Sequence, residues 1–209
     1  MPSATSGRRY AGQGADERRA ERRRRLIDAG VELFGTRGYA GTTIEALYTE
    51  ARLAPRHFYE QFAGREELLR AVYDETIEAV ATAVGEARRS APPDVDGRVR
   101  AILGAFARSM LSDPRRARIA YLEVPGTSRG LERHAMRVVR GFAAVVEEEA
   151  RAAAEQGRLP DRDYALTAML LVGGTNAILL DWLSDEHRQP IDAVLDELAG
   201  TFVAVLERP

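Results

Sequence analysis

The stretch LFGTRGYAGTTIEALYTEARLAPRHFYEQFAGREELL, residues 33–69, decides the fold. Leading into it, Leu26, Ile27, Gly30, Leu33 and Phe34 recur at helical spacing and form one apolar stripe. Gly38 ends that helix, since glycine suits the left-handed position after a last turn. Thr42-Thr43-Ile44-Glu45 then matches a T-x-x-E capping box, in which the Thr42 hydroxyl and the Glu45 carboxylate satisfy free amides at a new helix start. Ile44, Leu47 and Tyr48 supply its inner face up to about Ala51. Past Arg52-Leu53-Ala54, Pro55 opens a third short helix, where its missing amide does no harm in the first turn. That helix reaches about Gln61 and turns Phe58 and Phe62 inward. Three short helices, the second and third joined by about four residues, outline a helix-turn-helix, whose last helix enters the DNA major groove while the one before it crosses the backbone.

Outward from this unit the chain reads as helix almost throughout. A long helix is expected over about 65–89, with Leu68, Leu69, Val72, Tyr73, Ile77, Val80 and Val84 as its buried stripe. Further helices are expected at 96–112, 114–122, 128–156, 161–185 and 190–207, punctuated by proline and glycine. No strand pattern, internal repeat or long heptad run is present, so the predicted architecture is all-α. Residues 1–15 hold three glycines and no apolar period and read as a disordered arm. Residues 16–68 form the helix-turn-helix domain, and 69–209 a larger helical domain.

Composition narrows the function classes. The 209 residues suffice for one large or two small domains with a buried core. The absence of cysteine excludes a disulfide framework, a thiolate zinc site and a cysteine nucleophile. All 30 basic residues are arginine, and without lysine neither Schiff-base nor P-loop chemistry is possible. The three histidines, at 57, 134 and 187, form no H-E-x-x-H pair, and neither a G-x-S-x-G elbow nor a phosphate-binding loop occurs. No catalysis, cofactor or metal site is therefore expected. Residues 1–62 carry 11 arginines against 8 acids, net +3, and residues 63–209 carry 19 against 24, net −5. A basic front on an acidic body points to a polyanion partner for the front. The first twenty residues lack the apolar core of an export signal, and the longest uncharged stretch, Tyr164–Leu180, is 17 residues, short of the ~20 a membrane span needs. A cytoplasmic protein with no membrane partner is expected.

The residues go further than the outline. Phe34-Gly35-x-x-Gly38-Tyr39-x-x-Thr42-Thr43-Ile44, then Phe58-Tyr59-x-x-Phe62, then Arg65-Glu66-x-Leu68-Leu69 closely resembles the N-terminal signature of the tetracycline-repressor (TetR) family of bacterial transcription regulators. The resemblance covers about Leu26–Val72; beyond it, only size and helix pattern agree. It implies a DNA-binding regulator, most often a repressor released from a palindromic operator by a small molecule. Tyr59 and Arg65 align with family positions that hold the DNA backbone, and Arg56 and His57 with positions that make base contacts. Arginine fits guanine bidentately through O6 and N7. The amides at the second helix start, with the Thr42 and Thr43 hydroxyls, make a phosphate site; Pro55 and Gln61 are weaker candidates. Where the family has Gly in the turn and Ser at the next cap, this chain has Arg52 and Ala54. A non-glycine residue in a left-handed turn costs of order 1 kcal/mol, and alanine cannot cap through its side chain.

Two further expectations concern the body. The 161–185 helix is apolar nearly all round and needs cover on every face, so with the 190–207 helix it is expected to form a homodimer interface, as the last two helices do in the resembling family. The family also implies a small, largely hydrophobic effector, for which Phe106, Met110, Tyr121, His134, Asn176 and Trp182 are candidate lining residues. A helical carrier protein without DNA function is the rival reading, and the TTI…FYEQF segment argues against it.

Overall fold

A computed structural model describes residues 6–184 and 189–209, with the backbone alone for residues 6–13. Its elements are α1 (Ser6–Arg37), α2 (Ile44–Glu50), α3 (Pro55–Tyr59), α4 (Arg65–Ser90), α5 (Val95–Met110), α6 (Pro114–Arg118) continued by a π-helical turn (Ile119–Glu123), α7 (Arg129–Glu155), α8 (Ala165–Ser184) and α9 (Ile191–Leu206). No strand occurs among the described residues, and the fold is all-α. The chain divides into two compact units, Met1–Tyr73 and Asp74–Pro209, with the division inside α4, five residues beyond the expected boundary in the same helix.

In the first unit the predicted apolar stripes become the core. Leu26, Phe34, Leu47, Phe58, Leu68, Leu69 and Val72 have no exposed surface. Gly38 follows α1 directly with φ +78°, the left-handed conformation that ends the helix. Two details correct the sequence reading. First, α1 starts at Ser6, so residues 6–15 of the expected arm extend the helix, while residues 1–5 lie outside the described residues. The alanines, arginines and glutamine there carry helix propensity that a search for apolar period overlooks. Second, the cap of α2 is Thr43, whose Oγ1 accepts from the Ala46 amide at 3.1 Å. Thr42 is fully buried, and its hydroxyl donates to the carbonyls of Gly38 (2.8 Å) and Leu33 (3.2 Å). The adjacent threonines thus divide the work: one starts α2 and the other ties that start to the end of α1.

The turn between α2 and α3 carries the strain its sequence implies. Arg52 is the non-glycine residue with positive φ among the described residues, at +54°, and Ala54 caps α3 without a side-chain hydrogen bond. Arg25 compensates from α1: its Nη2 donates to the carbonyl of Ala51 and, at 2.9 Å, to that of Arg52. Arg52→Gly is therefore expected to stabilise the protein by roughly 0.5–1 kcal/mol. The left-handed penalty of ~1–2 kcal/mol is relieved, less the ~0.5–1 kcal/mol that glycine's unfolded-state freedom takes back. Urea denaturation with an unchanged slope and a raised midpoint is the expected record; a lowered midpoint would show that the Arg52 side chain matters more than its backbone.

The second unit is built from the rest of α4 and from α5–α9. Its main core joins Leu103 and Ala107 of α5, Ala150 and Ala153 of α7, Leu171 and Leu179 of α8, and Leu198 and Phe202 of α9. A smaller cluster sets Met110 against Val80 and Val84 of α4, and a third sets Ala168 and Val172 of α8 against Ala143 of α7. The start of α8 lies four residues later than expected, at Ala165, whose amide donates to Asp163 Oδ1 at 2.8 Å; Asp185, its expected end, lies outside the described residues. At 20 residues α8 is the one described helix long and apolar enough, by length and composition, to cross a membrane, which the 17-residue uncharged stretch did not reach.

Candidate nucleic-acid interface

Helix α3 is anchored from behind and bare in front. Phe58 is fully buried and stacks at a tilt on Phe62, with ring centroids 6.1 Å apart. Arg23 of α1 lies over the Phe62 ring at 4.6 Å, covering the core from outside. With the aromatic side fixed inward, Pro55, Arg56 and Tyr59 are exposed, Tyr59 to 61%. Residues 55, 56 and 59 share one helix face by their spacing. That face offers a guanidinium and a phenol, a base reader and a phosphate donor in DNA complexes. Exposed Thr43 adds the capped N-terminus of α2.

The other sequence candidates, Thr42, His57, Gln61 and Arg65, are less exposed than Arg56 and Tyr59. His57 is turned to α1: its Nδ1 bonds Glu60 Oε2 at 2.9 Å, and it shares a shallow depression with Leu53 and with Glu17, Arg18, Glu21, Arg22 and Arg25 of α1. The hydrogen bond with His57 holds the Glu60 carboxyl below the usual carboxylate range, with smaller help from the charges of His57, Arg22 and Arg56. Arg65 is half-buried; its Nη1 donates to the carbonyls of Tyr39 (3.0 Å) and Thr42, and its guanidinium lies 4.7 Å over the Tyr39 ring. It braces the loop before α2. Gln61 turns Nε2 into the interior, where it has no hydrogen-bond partner among the described residues, and Thr42 is internal as described. The brace made by Arg25 went unread in the sequence, because nothing in a run of arginines says which one faces inward.

The second unit contains a cavity of about 100 Å³. Of the six candidate effector residues, Phe106 lines it. Met110 is buried in the small cluster with Val80 and Val84. Tyr121 Oη donates to Asn176 Oδ1 at 3.2 Å. His134 bonds Asp74 through Nε2 and accepts from Arg137 Nη2 at Nδ1, 3.2 Å away. Trp182 Nε1 donates to the Gln189 carbonyl at 2.8 Å. The lining instead comes largely from smaller residues, among them Val99, Val145, Val172 and Ala150, with Phe142 and Phe202. Three charged residues join them: Arg98 of α5, Glu149 of α7, and Arg158 just beyond α7.

Helix α8 buries Ala168, Leu171, Val172, Thr175 and Leu179 within its own unit. Its opposite side exposes Leu166 (83%), Leu170 (65%) and Ile178 (41%), with Gly173, Gly174 and Ala177 between them. A Cβ at Gly173 or Gly174 would meet nothing within 4 Å.

A short helix held by aromatics behind and presenting arginine in front, after a capped partner helix and a tight turn, defines a helix-turn-helix DNA-binding protein. Residues 26–72 match the model of the bacterial regulatory proteins of the tetR family, so the N-terminal helix-turn-helix unit is of the tetR type. It is 31% identical over 150 residues to the HTH-type transcriptional regulator TcmR of Streptomyces glaucescens, covering 71% of this chain and 62% of that one. The match thus spans less than two thirds of the relative's length. Among solved structures, the fatty acid degradation regulator FadR from Bacillus halodurans superposes with a TM-score of 0.79 at 17% identity, covering 90% of this chain and 97% of the other. The transcriptional regulator FadR from Bacillus subtilis, in complex with stearoyl-CoA, gives 0.78 at 15%, covering 87% and 97%. At these identities the likeness is one of fold.

Proposed function

We propose that the protein is a cytoplasmic transcriptional repressor that binds a palindromic operator as a homodimer and lets go when a small hydrophobic molecule enters its helical body. The observation that carries the reading is the outward face of α3, where Arg56 and Tyr59 are exposed while Phe58 is buried. Residues 16–68 serve DNA, and 69–209 serve effector and partner. Two-fold symmetry of the protein calls for an inverted repeat in the DNA. The exposed apolar side of α8 supports pairing, because an apolar helix face in water calls for a partner. The apolar cavity, with the stearoyl-CoA complex of one structural neighbour, supports a hydrophobic effector. Such a ligand releases DNA only by binding the DNA-incompetent state better, and a typical coupling of ~1–3 kcal/mol weakens the operator complex roughly 5–150-fold. Selection of binding sites from random oligonucleotides tests the core of the reading. Enrichment of an inverted repeat is expected; recovery of unselected sequence would reject it.

The arginines of α1 bear on affinity. Deleting Met1–Arg19 removes Arg8, Arg9, Arg18 and Arg19. For every DNA phosphate that these arginines neutralise, their removal should flatten the slope of log K against log salt by roughly 0.9. The deletion is expected to lower affinity and reduce the slope by one or more such steps, measured by anisotropy titrations across salt. An unchanged slope would make this end of α1 a solvated helix only.

A further inference from the structure

The charged lining of the cavity limits what an effector can be, an inference that rests on the cavity being the effector site. Arg98 and Arg158 line it with one carboxylate, Glu149. That carboxylate is already engaged on both oxygens. Its Oε2 accepts from Arg98 Nε (2.8 Å) and Nη2 (2.6 Å), and its Oε1 accepts from Arg88 Nε (2.9 Å). Arg88 also reaches Glu148, at 2.9 Å. Arg158 has no such partner among the described residues. It donates from Nη1 to the Pro93 carbonyl and from Nη2 to Gln156 Oε1, both neutral acceptors, and it is half-buried.

A guanidinium stays charged at any physiological pH and has five N–H donors in a planar fork. One that is half withdrawn from water and satisfied by neutral oxygens gains most from an anion, since charge-assisted pairs are about twice as strong as neutral ones. The rest of the lining is apolar apart from Thr175, whose hydroxyl is spent on the Leu171 carbonyl of its own helix at 2.9 Å. Polar groups elsewhere on a ligand would therefore be buried without partners, at a cost of ~1–3 kcal/mol each. We propose that the effector is an amphipathic monoanion: an apolar body among Phe106, Phe142, Val172 and Phe202, and a single carboxylate-like head on Arg158. The volume of about 100 Å³ is smaller than the ~150 Å³ engineered cavity that admits benzene. A body of ring size or larger therefore enters only as the lining helices part.

Two ligand series with constant bodies and varied heads test this by calorimetry on the full chain: naphthoate, naphthol and naphthylmethylammonium, then decanoate, decanol and decyltrimethylammonium. The carboxylate is expected to bind at least about tenfold tighter than the alcohol in one or both series, and the cation weakest. Arg158→Gln should bring the carboxylate down to the affinity of the alcohol and leave the alcohol unchanged; Arg158→Lys should keep part of the preference. Equal binding of the three heads, or a preference that survives Arg158→Gln, would overturn the monoanion while leaving the cavity as a hydrophobic effector site. Failure of every member of both series would reject the cavity as an effector site, and the monoanion with it.

Discussion

If the native protein pairs as proposed, Gly174→Arg is expected to leave each protomer folded, to give monomers, and to weaken operator binding by roughly 10²–10⁴-fold. The size follows from losing the second half-site, since joining two binding modules raises avidity by about that factor. Within the protomer the substitution is harmless: nothing lies within 4 Å of a Cβ at this position. It should even favour the helix, because glycine in a helix interior is ~0.8–1.0 kcal/mol worse than alanine. Two successive glycines in the middle of α8 therefore weaken it, and no contact among the described residues requires them. They do let another backbone come close between Leu170 and Ile178, which are exposed. Gly141→Arg is the control. That glycine of α7 is also exposed with open space at its Cβ, but lies off the α8 stripe, so its variant should remain dimeric and bind operator normally. Sedimentation velocity at micromolar concentration, thermal melting and operator titration together decide. A Gly174→Arg protein that stays dimeric, or a native protein that is monomeric, removes α8 from the interface.

What the sequence reveals here divides along a physical line. Periodic burial is written residue by residue, and the helices appear at the expected places because Leu26, Phe34, Leu68, Val72 and Val80 repeat at helical spacing and are buried. Local backbone demands are legible too. Gly38 and Arg52 both take positive φ where the turn chemistry requires it. Long-range partnership is not legible. Thr42 and Thr43 are equivalent in a T-x-x-E pattern, and only the position of the α1 carbonyls decides which one caps and which is internal. Arg25 looks like any other member of ERRRR until α2 and α3 supply the carbonyls it meets. The cavity is the clearest case. A search for large, polarisable side chains picks Met110 and Trp182, but large residues fill space. An empty volume arises where valines and alanines leave it, as Val145, Val146, Ala150 and Ala153 do along α7. Its charged residues, Arg98, Glu149 and Arg158, come from α5, α7 and the turn beyond, and no spacing rule connects them.

The same separation between exposed and bracing residues shapes the expected result at the DNA interface. Arg56→Ala should weaken the specific operator by about 1–3 kcal/mol per contact, roughly 5–150-fold, and relax preference at one base position per half-site. Random DNA should lose far less, because a base-reading arginine contributes to discrimination while phosphate contacts supply most non-specific affinity. Arg56 is suited to this in being exposed on α3, so its removal leaves no buried group unsatisfied and the fold intact. Tyr59→Phe keeps the ring and its edge contact with Phe58 at 5.5 Å and removes only the hydroxyl. It should weaken all sequences evenly, by about 0.5–1.5 kcal/mol for one hydrogen bond. Arg65→Ala should behave differently from both. Arg65 is bonded to the Tyr39 and Thr42 carbonyls, so its loss frees the loop that sets α2, lowering stability and affinity together. Parallel titrations on operator and on shuffled sequence, with a melting curve for each variant, separate the three roles. If Arg56→Ala weakens both DNAs by the same factor, the residue holds the backbone, and base reading belongs to another side chain of α3.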